Sequence, residues 1–177
     1  MGTRLVKVQG IGYWMRVFEQ NRDLTGYDNQ LADIGGQCVM DIDLDDTNLG
    51  LIRKAGYAFE AKPSPDNPGM HRLRLKRKWT ENYGGGAPTV LRSDNNVWNY
   101  DADGLIGNGS SVEAIVQVYD TRNAKIKGMR LEKIRVNELK EYSGSVDFGA
   151  PVAAAPTAAK AAPAAAAKET LEDEIPF

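Results

Sequence analysis

Between Gln37 and Leu44 apolar and polar positions alternate. Cys38, Met40, Ile42 and Leu44 point one way, and Gln37, Val39, Asp41 and Asp43 the other, which predicts a strand. Arg72 to Thr80 alternates again, with Leu73, Leu75, Arg77 and Trp79 on one face and Arg72, Arg74, Lys76 and Lys78 on the opposite one. Nearer the N-terminus, Trp14, Arg16 and Phe18 fall on one face of a further strand. Ser111 to Asp120 reads as a strand that turns near Arg122-Asn123, and Lys125 to Leu139 returns as the last long one. In that strand Leu131 and Ile134 both read as core-facing, so the phase slips and a bulge is expected near Glu132-Lys133. Tyr57 to Ala61 predicts a short strand.

The intervening text supplies breaks. Asp45-Asp46-Thr47 offers capping groups for a short helix over Asn48 to Ala55, closed by Gly56. Pro63, Pro65 and Pro68 mark a loop, and Gly84-Gly85-Gly86 interrupts the chain. The sum is a mainly β protein with five or more strands and one short α-helix. That combination fits a small closed barrel of the OB-fold kind.

Composition then divides the 177 residues. Residues 1–149 hold 20 basic and 20 acidic side chains, so the net charge of -2 belongs to residues 150–177. Ala150 to Lys168 contains 12 Ala and three Pro, with no periodic large apolar residue that would dock on a core. It reads as a disordered linker, residues 150–168, between a domain at 1–149 and an acidic tip at 169–177. The tip closes with Glu172, Asp173, Glu174, Ile175, Pro176 and Phe177. A flexible acidic arm carrying a terminal aromatic ring and carboxylate suits capture by a basic-rimmed apolar pocket on a partner. One Cys and one His exclude a disulfide framework and a typical structural zinc site. No run of about 18 apolar residues predicts a membrane span, and Met1 to Gln9 lacks a signal-peptide core, so a cytoplasmic protein is expected.

The stretch His71 to Trp79 carries five formal positive charges and no acid. Period 2 places Arg72, Arg74, Lys76 and Lys78 in line at a spacing of roughly 6.6 Å, similar to phosphates along an extended single strand. Such a row repels itself unless water or a polyanion covers it; a solvated edge that blocks aggregation is the plainer alternative. Aromatic rings lie among further cations. Trp14 and Phe18 flank Arg16, Trp79 ends the cationic strand, and Tyr83 borders the glycine run. Trp98 and Tyr100 share a strand face near Arg92, and Lys125, Lys127 and Arg130 gather at the final hairpin. Cations that neutralise phosphates beside rings that stack bases are what unpaired nucleic acid requires. Duplex reading is disfavoured, because the single short helix offers only Arg53 and Lys54.

Catalytic patterns are missing. Asp41 and Asp43 read as outward-facing strand acids, and Asp45 and Asp46 as capping residues, rather than as a metal cluster. Asp101-Ala102-Asp103-Gly104 lacks the remaining ligands of a calcium loop. No phosphate-binding Gly-Lys-Thr loop and no nucleophile triad is present. The expectation is a protein that is not an enzyme and needs no cofactor or metal. The alternatives are an RNA-binding OB-fold protein, a structural protein, and a metal-dependent nuclease.

Four segments together resemble a known family. Gly36 to Leu44 followed by a short helix, Leu105-Ile106-Gly107-Asn108-Gly109-Ser110 before a Val-rich strand, and Gly128 to Leu139 resemble the single-stranded DNA-binding proteins of short-tailed bacteriophages. Glu174-Ile175-Pro176-Phe177 is similar to the acidic, Phe-ended tail of bacterial single-strand binders. The resemblance implies an OB-fold that coats and protects unpaired DNA in phage replication and recombination, inside the cytoplasm of an infected bacterium. It also implies recruitment of replication proteins, such as a polymerase or primase-helicase, through the tail, and a homo-oligomer. A linker of this length reaches up to roughly 60 Å when extended, so the tip is expected to reach a basic groove and compete with DNA there.

Overall fold

A computed structural model describes residues 2–80, 85–123 and 125–142. Seven strands form one sheet: β1 (Arg4–Arg16), β2 (Gln37–Leu44), β3 (Lys62–Pro63), β4 (His71–Lys78), β5 (Thr89–Leu91), β6 (Ser110–Asp120) and β7 (Lys127–Glu138). Their order is β3-β4-β2-β1-β6-β7-β5, antiparallel except for the parallel pair β5–β7. Five of the seven are long and correspond to five of the expected strands. β1 is central because its 13 residues let one half pair with β2 and the other with β6.

Three expectations need correction. No strand forms over 57–61; the short strand lies at Lys62–Pro63, where Pro63 is tolerated because it sits on the sheet edge. A second short helix, α2 (Tyr100–Asp103), joins α1 (Asp46–Lys54), so the chain has more than one. Lastly, the sheet is open rather than closed by strand pairing: among the described residues β4 and β7 share no ladder. Arg77 bridges them instead, donating from Nη1 to the Leu131 carbonyl at 3.2 Å and to Glu132 Oε1 at 2.7 Å.

The local chemistry follows the sequence. Asp45 caps α1 by accepting from the Asn48 backbone N–H at 2.8 Å, and Leu49 and Ile52 place the helix's apolar side in the core. The Asn48 amide oxygen in turn accepts from the Gln9 N–H at 2.9 Å, fixing α1 to β1. In β7 the ladder runs from Ile115–Lys133 to Val116–Leu131, so Glu132 is the extra residue. That is the expected bulge, and it is why Leu131 and Ile134 are both fully buried. The core gathers the inward positions of β2, β6 and β7 with Val8, Met15 and Val17.

Candidate nucleic-acid interface

The outward face of β1, β2 and β4 is a grid of side chains in register. Ile11, Asp43 and Arg72 form one row, Tyr13, Asp41 and Arg74 the next, and Arg16, Val39 and Lys76 a third; Gln37 pairs with Lys78 beyond them. Across this grid the ladder of β1 slips by one residue between Tyr13 and Arg16. Before the slip, even-numbered residues such as Val8 are buried; after it, Met15 and Val17 are. The inserted residue is Trp14, whose φ is +51° and which is 60% exposed. This bulge lets two consecutive aromatic residues, Tyr13 and Trp14, both avoid the core.

A turn holds the bulge in place. The Asn108 side-chain oxygen accepts from the Trp14 N–H at 2.7 Å, and the Gly109 N–H donates to the Gly12 carbonyl at 2.9 Å. That turn is itself fastened to the chain after β7: the Gly107 N–H donates to the Lys140 carbonyl at 2.9 Å, while the Ser110 hydroxyl donates to the Gly107 carbonyl and accepts from the Lys140 N–H, each at 2.8 Å. A Cβ on Gly107 would collide with the carbonyls of Lys140 and Glu141. The Gly-Asn-Gly-Ser segment is therefore a clamp for the backbone under Trp14.

The cationic strand is less free than its sequence suggests. Arg72 donates to both Asp43 oxygens at 2.7 and 3.0 Å and to Asp66 at 2.7 Å. Its guanidinium also lies 4.2 Å from the Tyr13 ring centroid. Asp43 is fully buried and further accepts from the Ser64 hydroxyl at 2.5 Å and from Asn67 Nδ2 at 2.7 Å, while Asn67 also donates to the Tyr13 hydroxyl. Burial pushes the Asp43 carboxyl up, but the hydrogen bonds of Arg72, Ser64 and Asn67 outweigh it and hold the group below its ordinary value. Arg74 grips Asp41 in the same two-pronged way, at 2.7 and 3.0 Å, and its hydrogen bonds to that carboxylate raise its pKa. Arg74 nonetheless keeps 58% of its side chain exposed, against 14% for Arg72. So Asp41 and Asp43 are not the outward, solvated acids that alternation implies. They are covered partners of Arg72 and Arg74, and Arg72 is a structural cation. Lys76 is exposed and has no partner among the described residues; Lys78 is exposed at the end of the row.

Other expected site residues scatter. Arg16 stays exposed, tied to the Asn21 and Arg22 carbonyls and 3.7 Å from Asp23. Phe18 does not share its face: it lies beyond the end of β1 and is buried, packing on Trp98 and Tyr100. Trp98 is buried too, with its indole N–H donating to the Gly104 carbonyl at 2.9 Å. Trp98 and Tyr100 do not share a strand face either, because Tyr100 begins α2. Arg92 beside them pairs with Asp94 and Asp103. Trp79 is half-buried beneath the Arg22 guanidinium, 4.2 Å from its ring centroid. At the final hairpin Lys127 bonds Asp120, Arg130 is held by Glu132 and Gln117, and Lys125 is exposed. Tyr83 and the tip from Glu172 to Phe177 lie outside the described residues.

The structure also brings forward residues absent from the sequence reading. Tyr13 and Asn67 brace Arg72, and Arg22 covers Trp79. Tyr27, in the loop between β1 and β2, is 84% exposed. Tyr13 had a signal, since it precedes Trp14 and the cationic strand is two strands away. Nothing in local sequence pairs Arg22 with Trp79.

No protein-family model matches the chain, and no curated protein matches its sequence. Solved structures do match. The single-stranded DNA-binding protein from bacteriophage Enc34 is 12% identical, with a TM-score of 0.51 over 81% of this chain and 87% of that one. The same phage protein in complex with single-stranded DNA gives 13% identity and a TM-score of 0.53, over 79% of this chain and 89% of that one. The bacteriophage T7 single-stranded DNA-binding protein gp2.5 gives 13% identity and a TM-score of 0.51, over 84% of this chain and 99% of that one. This chain shares their fold.

Proposed function

We propose that this protein binds single-stranded DNA without reading its sequence and keeps it unpaired during phage DNA replication and recombination. The observation that carries the reading is the clamped bulge of β1. It exposes Trp14 beside a grid edged by Arg74, Lys76 and Lys78, so a ring for bases adjoins cations for phosphates. Base-on-ring stacking is worth about 1–3 kcal/mol per base and is indifferent to base identity. The shared fold with phage proteins that bind single-stranded DNA supports the same reading. No chemical step enters it.

The tip from Glu172 to Phe177 serves, in this proposal, to recruit replication proteins. Its support is its sequence: acids followed by Ile175, Pro176 and a terminal Phe177. Titration of intrinsic fluorescence with oligo-dT tests the first part. Trp14→Ala is expected to weaken binding by about 1–3 kcal/mol, and equal affinity in the two proteins would refute the role given to Trp14. Competition by oligo-U reports whether RNA is an equal ligand. For the tip, Phe177→Ala is expected to abolish capture of a phage polymerase or primase-helicase while leaving oligo-dT affinity unchanged.

A further inference from the structure

The outward positions of β1 do not stop at Tyr13. Ile11, Gln9 and Lys7 continue along the same strand, and Lys7 lies roughly 20 Å from Tyr13 at strand spacing. There the register places Lys7, Ile115, Lys133 and Thr89 in one row across β1, β6, β7 and β5; Glu113, Arg135 and Leu91 share the next. A surface cavity opens between these rows, with Ile115 and Leu91 in its wall and Lys7, Lys133 and Arg135 around it.

Glu113 is the one acid in this cavity, and it is already neutralised. It accepts from Arg135 Nη2 at 2.5 Å and from Asn137 Nδ2 at 3.1 Å, and lies 3.3 Å from Lys7 Nζ. Asn95 Oδ1 takes a second Arg135 hydrogen at 3.0 Å. The carboxylate thus bridges two cations and fixes both at the rim of the cavity. Lys133 has no partner among the described residues, and Lys7 keeps 67% of its side chain exposed.

We propose that this cavity is a second contact for the phosphate backbone of the same single strand that crosses Trp14. The proposal rests on the reading given under the preceding heading and extends its path. An apolar wall between cations suits sugar and base edges between phosphates. A strand that runs from Trp14 to Lys7 and Lys133 stays within the roughly 4–16 nucleotides that one OB fold covers. Continuity with the Tyr13 face along one strand favours nucleic acid over an acidic peptide.

The test compares the full chain with its Lys7→Ala/Lys133→Ala variant. Each is titrated with short and long oligo-dT, of about 6 and about 30 nucleotides, over a range of salt. For the long oligomer the variant should bind about tenfold more weakly at low salt, and its log K against log salt slope should be shallower by about 1.4, for two contacts at about 0.7 each. The short oligomer should bind both proteins alike, and Lys7→Arg/Lys133→Arg should restore the long-oligomer slope. An unchanged slope, or an equal loss for both lengths, overturns the second contact. So does loss of acidic-peptide binding with DNA binding intact, which would assign the cavity to a protein partner. If the unmodified protein binds neither oligomer, the underlying DNA-binding reading fails as well. Loss of the short oligomer only in Trp14→Ala, with no effect of the lysine variant on either, leaves the first face standing and removes this one.

Discussion

Trp14 occupies a left-handed backbone conformation that costs a non-glycine residue roughly 1–2 kcal/mol. Replacing it by Gly removes both the strain and the ring. Trp14→Gly is therefore expected to melt no lower than the unmodified protein while losing about 1–3 kcal/mol of oligo-dT affinity. Trp98→Ala is expected to do the reverse, costing about 3–5 kcal/mol of stability, because that ring is buried in the core. Thermal melts beside fluorescence titrations separate the two. Alternation alone treats these tryptophans alike, since each shares a predicted strand face with a second aromatic ring near an arginine. What distinguishes them is tertiary: Trp98 packs on Phe18 and bonds the Gly104 carbonyl, whereas Trp14 is inserted in a bulge. Asp43 is a second residue whose surroundings decide its role. Its folded pKa lies below the ordinary 3.8, so its ionised form stabilises the fold above that pH, and the contribution is lost as pH falls through 3.8 and below. Asp43→Asn leaves Arg72 with Asp66 as its remaining carboxylate. It should cost roughly 3 kcal/mol at neutral pH and flatten the acid limb of a denaturation curve. An acid limb as steep as that of the unmodified protein would show that Asp43 is not what titrates.

At the level of elements, the ladders slip at three places, near Glu132, Trp14 and Asn137, and the first two differ in how visible they are. The one at Glu132 is legible because Leu131 and Ile134 are large and apolar, and three-residue spacing cannot keep both on one face of a regular strand. The one at Trp14 is an equally real phase change, from Val8 to Met15 and Val17, but Gly10 and Gly12 occupy the inward positions between them and erase the apolar signal. Period 2 puts Phe18 on the face of Trp14 and Arg16, but the chain leaves β1 after Arg16 and the Phe18 ring is buried in the core. The clamp that sustains the second bulge is testable by itself. Asn108→Ala deprives the Trp14 N–H of its acceptor. The loss in stability should be small, about 0.5–1.5 kcal/mol for one exposed hydrogen bond, while oligo-dT affinity falls because the ring is no longer held. Hydrogen exchange at Trp14 should quicken in parallel. Unchanged affinity with faster exchange would mean that the bulge need not be rigid to bind.

For the molecule as a whole, the decisive quantity is how many cations remain to meet phosphates. Counting charges along His71 to Trp79 gives five, yet the fold consumes several. Arg72 is shared between Asp43 and Asp66, and Arg77 spans the gap from β4 to β7. Sequence shows the charges but not their partners, because Asp43 and Asp41 lie about 30 residues away and meet the arginines only through the β2–β4 register. On the outward grid Lys76 remains, beside Arg74 and Lys78, which are exposed although each is engaged within the protein; three phosphate contacts at about 0.7 each on single strands give a log K against log salt slope near -2 for a short oligomer. Adding Lys7 and Lys133 on the far cavity takes a long oligomer to about -3.5. The difference between oligomer lengths therefore measures the path of the strand over the sheet, independently of absolute affinity. Arg74→Gln should shallow both slopes by about 0.7 if Arg74 turns its exposed side to phosphate despite its bond to Asp41. No change at either length would mean that Asp41 saturates it and that the lysines alone carry the electrostatic attraction.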